Sequence, residues 1–297
     1  ALPIFYDYPL YRPPSEAHSL ILQITLGCSH NKCTFCNMYK DKKFRIKTLD
    51  EIKEEIDFFR AQIKYVRRIF LADGDALIIK TSTLLEILNY LNEKFPEKER
   101  ISIYASPKSL MLKTPEELRT LKETGIELVY IGLESGDNEV LTNVNKGSTV
   151  ENFIVGVKKA KEVGFQTSIT VIAGLAGKNK DASKKHALKT AYAIQEVSPT
   201  YLGILCLNIL PNTILAKQAE KGKFIEASSY EIINEIKIMI ENLNISKNSP
   251  LTLRANHISN YLNLQGTLPE DKEKILSNIN YVLKNNNVIE KVQRNSL

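Results

Sequence analysis

Branched apolar residues gather along this chain in six short runs, and a stretch with helical spacing follows each of them. The first run, LILQITLG over 20–27, shows no polar alternation, as expected of a strand buried on both faces. TLDEIKEEIDFFRAQI then predicts a helix over 48–63, with Thr48 as N-cap and Glu51 completing a capping box. VRRIFLADGD is a strand ending at Asp73–Asp75, and TSTLLEILNYLNEKF a helix with an apolar stripe at Leu84, Leu88, Leu91 and Phe95. ISIYAS is the third strand. The helix after it is capped by Thr114, opened by Pro115 and stopped by Gly125. IELVYIGLES, FQTSITVIAGL and YLGILCLNIL are strands four to six. Their helices end at Gly164, run through KKHALKTAYAIQEV, and span YEIINEIKIMIENL.

Strands that alternate with helices imply right-handed crossovers and a parallel sheet. The expected fold is therefore α/β, a partial (β/α)6 barrel. Its division is an N-terminal arm over 1–17, the barrel over 18–245, and an extension over 246–297 that closes the barrel and ends in a polar tail. The arm and the tail after Lys284 are expected to be extended or loosely held. In such barrels function sits at the C-terminal ends of the strands. Here those ends carry the cysteines after strand one, ADGD (72–75), GLESG (132–136), AGLAG (173–177) and LPNT (210–213). Each alone reads as a turn device; their shared rim points to one active site.

Composition adds bounds. The 297 residues suit a single barrel, 43% of them are apolar, and no run of eighteen apolar residues suggests a membrane span. The start, ALPIFYDYPLYRPPSE, lacks the layout of a signal peptide. Four cysteines, three of them clustered, fit a reducing cytoplasm and a metal site better than a disulfide framework. The net charge of +6 reads as a solvated mixed-charge surface, and the scattered Lys and Arg form no track that would favour nucleic acid.

The chemistry concentrates in LGCSHNKCTFCNMYK, which places Cys28, Cys33 and Cys36 within nine residues. A structural zinc or an ordinary iron–sulfur cluster takes four protein ligands. Three thiolates on a [4Fe–4S] cluster leave one iron open. A zinc site would instead recruit His30 or Cys206, although His30 suits a solvated turn and Cys206 a buried strand.

The cysteine loop, ADGD, GLESGDNEVLTNVNKG and TVIAGLAG, in this order, resemble the radical S-adenosylmethionine (radical SAM) superfamily over roughly residues 18–215. The closer similarity is to the branch of oxygen-independent coproporphyrinogen III oxidase and the Elongator-type domain. One residue more than the family's usual spacing separates the first two cysteines. The resemblance implies a barrel of radical SAM type. It implies that Cys28, Cys33 and Cys36 hold a [4Fe–4S] cluster, whose open iron takes S-adenosylmethionine for reductive cleavage to a 5′-deoxyadenosyl radical. It also implies roles for the cofactor's surroundings. Phe35 would lie near the adenine; Asp73, Gly74 and Asp75 would meet the methionine ammonium; Glu134 and Ser135 the ribose or methionine; Lys146 the methionine carboxylate. Gly174 and Leu175, with Val171 nearby, would lie along the adenine.

The radical would then abstract hydrogen from a substrate, most simply a small molecule. No second cysteine cluster is present to support methylthiotransfer. An RNA-modifying enzyme and a non-catalytic metal or iron–sulfur module are the alternatives. Within 253–272, Arg254, Asn256, His257, Asn260 and Tyr261 either contact substrate at the barrel mouth, with His257 and Tyr261 as catalytic candidates, or satisfy one another in a plug. Tyr104, Ser106 and Lys108 after strand three are further substrate candidates. The basic run YKDKKFRIK (39–47) is either a solvated face, a docking site for an electron donor such as flavodoxin or ferredoxin, or a substrate-phosphate site.

Overall fold

A computed structural model of the protein describes residues 6–285 and divides into two units. One comprises the chain up to Lys32, Cys36–Gly132 and Val155–Thr167; the other comprises Cys33–Phe35, Leu133–Ile154 and the chain from Ser168 onward. The polar tail expected after Lys284 lies, from residue 286 on, outside the described residues.

In the first unit, β1 (Leu20–Gln23) stops at a bend, and β2 (Thr25–Leu26) pairs instead with β3 (Arg45–Ile46). Helix α1 (Leu49–Gln62) carries the expected Thr48–Glu51 capping box. β4 (Arg68–Ala72), α2 (Thr81–Lys94), β5 (Arg100–Ala105), α3 (Pro107–Leu112), α4 (Pro115–Thr124) and β6 (Ile126–Glu134) follow. The strands are parallel, in the order β1-β4-β5-β6. Ile52 and Ile56 of α1 and the stripe Leu84, Leu88 and Leu91 of α2 are fully buried, as is Phe95 just beyond α2. Capping marks where α1 begins, and apolar spacing marks the face that α1 and α2 each bury.

The N-terminal arm is tied down from residue 6. Tyr6 donates to the Ile21 carbonyl at 2.7 Å, and the fully buried Glu16 accepts from Arg100 and Tyr130, both at 2.6 Å. A buried carboxylate with two such donors fixes the chain around it, so the arm is not loose.

Helices α5 (Asn138–Asn143) and α6 (Val150–Glu162) lie between β6 and β7 (Gln166–Ala173). In the second unit, β7 runs parallel to β8 (Tyr201–Cys206), with α7 (Lys180–Val197) as the crossover. After α8 (Ile214–Glu220) and α9 (Ser229–Glu241), the segment expected to close a barrel mouth forms a hairpin. β9 (Leu251–Ala255) joins β8 in parallel, and β10 (Leu264–Leu268) pairs antiparallel with β9. Helix α10 (Lys272–Lys284) completes the described chain. Among the described residues no helix is long and apolar enough to cross a membrane.

Candidate functional site

In the first unit the ends of β1 and β4 are clamped together. Gly27, at φ +78°, makes the turn into the cysteine loop, a conformation that a residue with a Cβ enters at a cost. Its N–H donates to Asp73 Oδ2 at 3.0 Å, and its carbonyl accepts from Gly74 N at 3.1 Å. The Asp73 carboxylate also accepts from Gln23 Nε2 at 3.2 Å and from Lys42 Nζ at 3.3 Å. It is wholly buried, and burial raises its pKa against these donors. All of its bonding runs to the fold, so Asp73 acts as a clamp on the loop rather than as a carboxylate offered to a ligand.

Asp75 differs. Its Oδ2 accepts from Ser29 at 2.6 Å and from Ser106 at 2.8 Å, while its buried Oδ1 has no hydrogen-bond partner. The Tyr39 hydroxyl is likewise buried and unpartnered, and its phenol is pushed above the usual range by burial and then by Tyr104 and Asp73. A Cβ on Gly74 would stand 2.8 Å from the Tyr39 ring and 3.1 Å from Cys28 Cβ. Two orphaned polar atoms on residues this close to Cys28 are costly in an empty fold and suited to a polar ligand. Tyr39 was missed by sequence reasoning, since nothing in NMYK marks that tyrosine as buried.

The other first-unit candidates separate. Ser106 caps α3 and reaches Asp75. Tyr104 packs edge-on against Phe70 with ring centroids 4.8 Å apart, and Lys108 is exposed. The basic run breaks up as well. Lys42 is buried on Asp73, Lys47 is buried on Glu55 at 2.6 Å, and Arg45 pairs with Glu51. Read as a single solvated or docking face, that run is corrected: two of its lysines are interior.

In the second unit, Phe35 packs against an apolar cluster of Val140, Val144, Ile172, Leu175, Leu207 and Leu215. Phe35 and Leu175, both expected along the adenine, thus meet on one apolar surface. Val171 is fully buried, on the opposite face of β7 from Ile172 by strand alternation. Glu134 has φ +66°, rare for a residue with a side chain, and pairs with Lys146 at 2.9 Å.

Ser135 is drawn inward. Its Oγ lies 2.7 Å from His186 Nδ1 and accepts from Asp137 N at 3.0 Å. His186 Nε2 faces the Ile172 carbonyl at 3.2 Å and Glu235 Oε1 at 3.4 Å. Glu235 Oε1 in turn accepts from Gly174 N at 2.7 Å, and its Oε2 accepts from Ser183. Facing two acceptors, Nε2 carries the proton. This buried network joins the ends of β6 and β7 to α7 and α9. Sequence reasoning missed both His186 and Glu235; their only signal is polarity on an otherwise apolar helix face.

The late polar segment is engaged within itself and with β8. Asn260 donates to the Ile204 carbonyl at 2.8 Å, Asn256 to Gln265 at 3.2 Å, and His257 lies 2.9 Å from Ser259 Oγ. Tyr261 is buried, and the exposed Arg254 stacks over Tyr201. Cys28, Cys33 and Cys36 are all partly exposed, while Cys206 is buried at the end of β8, as expected. Among the described residues no group of three His, Cys, Asp or Glu side chains is gathered as a metal site.

The family model of the Radical SAM superfamily matches residues 22–188, more than half of the chain, and the chain belongs to that superfamily. The superfamily's cofactors are a [4Fe–4S] cluster and S-adenosylmethionine, the pair that the resemblance implied. Among individual relatives, the heme chaperone HemW of Bacillus subtilis is 21% identical over 175 residues, 57% of this chain and 45% of that protein. The chain thus spans about half the length of this curated relative. Coproporphyrinogen III oxidase (HemN) of Escherichia coli, a radical SAM enzyme, superposes at TM-score 0.54 and 19% identity over 90% of this chain and 52% of that one. Elp3 of Methanocaldococcus infernus does so at TM-score 0.54 and 13% identity, over 92% and 64%. The likeness to these structures is one of fold, a partial barrel of radical SAM type, and it includes both branches expected from the sequence.

Proposed function

We propose that the chain is a radical SAM enzyme. Cys28, Cys33 and Cys36 would hold a [4Fe–4S] cluster, and S-adenosylmethionine would be cleaved reductively for hydrogen abstraction from a small-molecule substrate. When bound, the cofactor pair supplies one electron and, on cleavage of the sulfonium, a 5′-deoxyadenosyl radical; the chain supplies binding, orientation and shielding from water. The observation that carries this reading is Asp75, a buried carboxylate with an unpartnered Oδ1, two residues from a clamp on the cysteine loop. An ammonium group is the donor such an oxygen lacks. Ser29 and Ser106 fix the carboxylate plane through Oδ2, which leaves Oδ1 as the accepting atom. The Phe35–Leu175 surface suits an adenine, and the Lys146 ammonium beside Glu134 suits a carboxylate or ribose hydroxyls.

The test is anaerobic reconstitution followed by product analysis. About four irons per chain are expected, with 5′-deoxyadenosine formed under dithionite. Cys33→Ala should abolish that product. If the variant still cleaves S-adenosylmethionine, the ligand assignment is wrong. If the parent protein loads the cluster, makes no 5′-deoxyadenosine and binds heme, a chaperone role like that of HemW takes its place.

A further inference from the structure

A groove of about 740 Å³ lies in the first unit where the N-terminal arm crosses the start of β1 and β4. Its lining includes Arg12, His18, Arg67, Arg68, Tyr8 and Tyr65, and contains no aspartate or glutamate. These residues come from two stretches, 8–18 and 65–68, so their grouping is a product of the fold. Arg67 is compensated by Glu99 at 2.7 Å. The side chains of Arg12 and the half-buried Arg68 have no hydrogen bond or ion pair among the described residues. Like charges held together without a counter-ion repel, and an anion entering the groove relieves that repulsion.

The aromatic residues narrow the choice of anion. Tyr8 and Tyr65 are 66% and 62% exposed, so their ring faces are open to a ligand. Tyr6 is fixed below by its bond to Ile21 and by packing on Phe59, with centroids 5.5 Å apart. Guanidinium groups beside open tyrosine rings recognise a phosphate joined to a planar base. The groove is also separate from the cofactor residues. Arg68 opens β4 and Asp73–Asp75 follow its end, roughly 13 Å further along a strand of this length.

We propose that this groove binds a nucleoside phosphate, either as a free nucleotide or as a stretch of single-stranded nucleic acid. The proposal does not depend on the radical SAM reading, because it uses none of the same residues. The test measures anisotropy of a fluorescent oligouridylate and of a fluorescent 5′-AMP on the reconstituted full chain. Expected is binding that salt weakens steeply and that falls roughly tenfold or more in Arg12→Gln/Arg68→Gln and in Tyr8→Ala/Tyr65→Ala. Lys247→Gln/Lys274→Gln, exposed and remote in sequence, should leave it unchanged. Much tighter binding of the oligomer identifies nucleic acid; comparable binding of 5′-AMP identifies the free nucleotide. The exposed tyrosine pair keeps the test open should loss of Arg68 perturb folding. The proposal is overturned if neither probe binds at low salt. It is equally overturned if polyglutamate competes as well as the oligomer, or if folded groove variants bind like the parent.

Discussion

Asp75→Asn separates the fold from the site at a single atom. In the parent, Oδ2 takes the hydroxyls of Ser29 and Ser106, and Oδ1 is buried with no donor. Asparagine keeps one oxygen, which can stay with the two serines, and replaces Oδ1 by an amide that only donates. The fold loses no bond, so the melting temperature of the substrate-free protein should change little. Binding of S-adenosylmethionine changes much more, because an ammonium now meets a donor in place of a carboxylate. A hydrogen bond to a charged group contributes about 1.5–3 kcal/mol, which is roughly a ten- to hundredfold rise in Kd. Equilibrium dialysis against labelled S-adenosylmethionine, with iron content measured in parallel, reads the effect. A variant that retains its cluster and binds the cofactor as tightly as the parent would refute the assignment of Oδ1.

Lys42→Glu places a second carboxylate beside the buried Asp73; breaking that pair should cost about 3–5 kcal/mol in denaturant unfolding, and near-parent stability would return Lys42 to the surface. Gly136→Ala should cost about 3 kcal/mol or more, because its Cβ would stand 2.5 Å from Thr190 Cα on the α7 backbone; a melt close to that of the parent would contradict this packing. Burial raises Glu55 from 4.5 to about 7 despite Lys47. Between those values the folded state keeps a proton that the unfolded chain has released, so stability should fall as pH rises from about 4.5 to about 7 and level off above. Melting curves across that range should show a shallower slope in Glu55→Gln; an unchanged slope would remove Glu55 as the cause.

Much of the fold was legible because its signals are local. A capping box needs four consecutive residues, and the one at Thr48 formed as read; Thr114, read as a plain cap, forms a box with Glu117 as well. Each of the six apolar runs yielded a strand, four of them parallel in the first unit and β7 and β8 parallel in the second. Three short helices, α3, α5 and α8, were not read; with six or seven residues each they complete fewer than two turns, too few for a period to show. The β9–β10 hairpin was missed for a similar reason. Its strands are five residues each and carry Arg254 and Gln265 on an exposed face, which in sequence resembles a polar loop.

The site divides along the same line. Three cysteines in nine residues need no fold to be noticed, and the resemblance that begins with them implies the cofactor class. Burial of a charge, by contrast, depends on partners distant in sequence. Lys42 read as a surface lysine because Asp73 lies 31 positions away. His186 read as an ordinary helix residue because Ser135 lies 51 positions before it and Glu235 approaches from α9. That network gives the sharper lesson about function. Glu235 ties the backbone at Gly174, and His186 ties Ser135, so two strand ends proposed to face the cofactor are held by residues that never need to touch it. His186→Leu would remove one buried hydrogen-bonding neighbour of Ser135 and Glu235, a loss of about 1–3 kcal/mol. Glu235→Gln retains the size of the side chain but puts an N–H2 where Gly174, His186 or Ser183 now meets an acceptor, and should loosen the hold on Gly174. Weaker S-adenosylmethionine binding in a Glu235→Gln protein of near-parent stability would mark the pair as a positioning device; unchanged affinity would leave it purely structural.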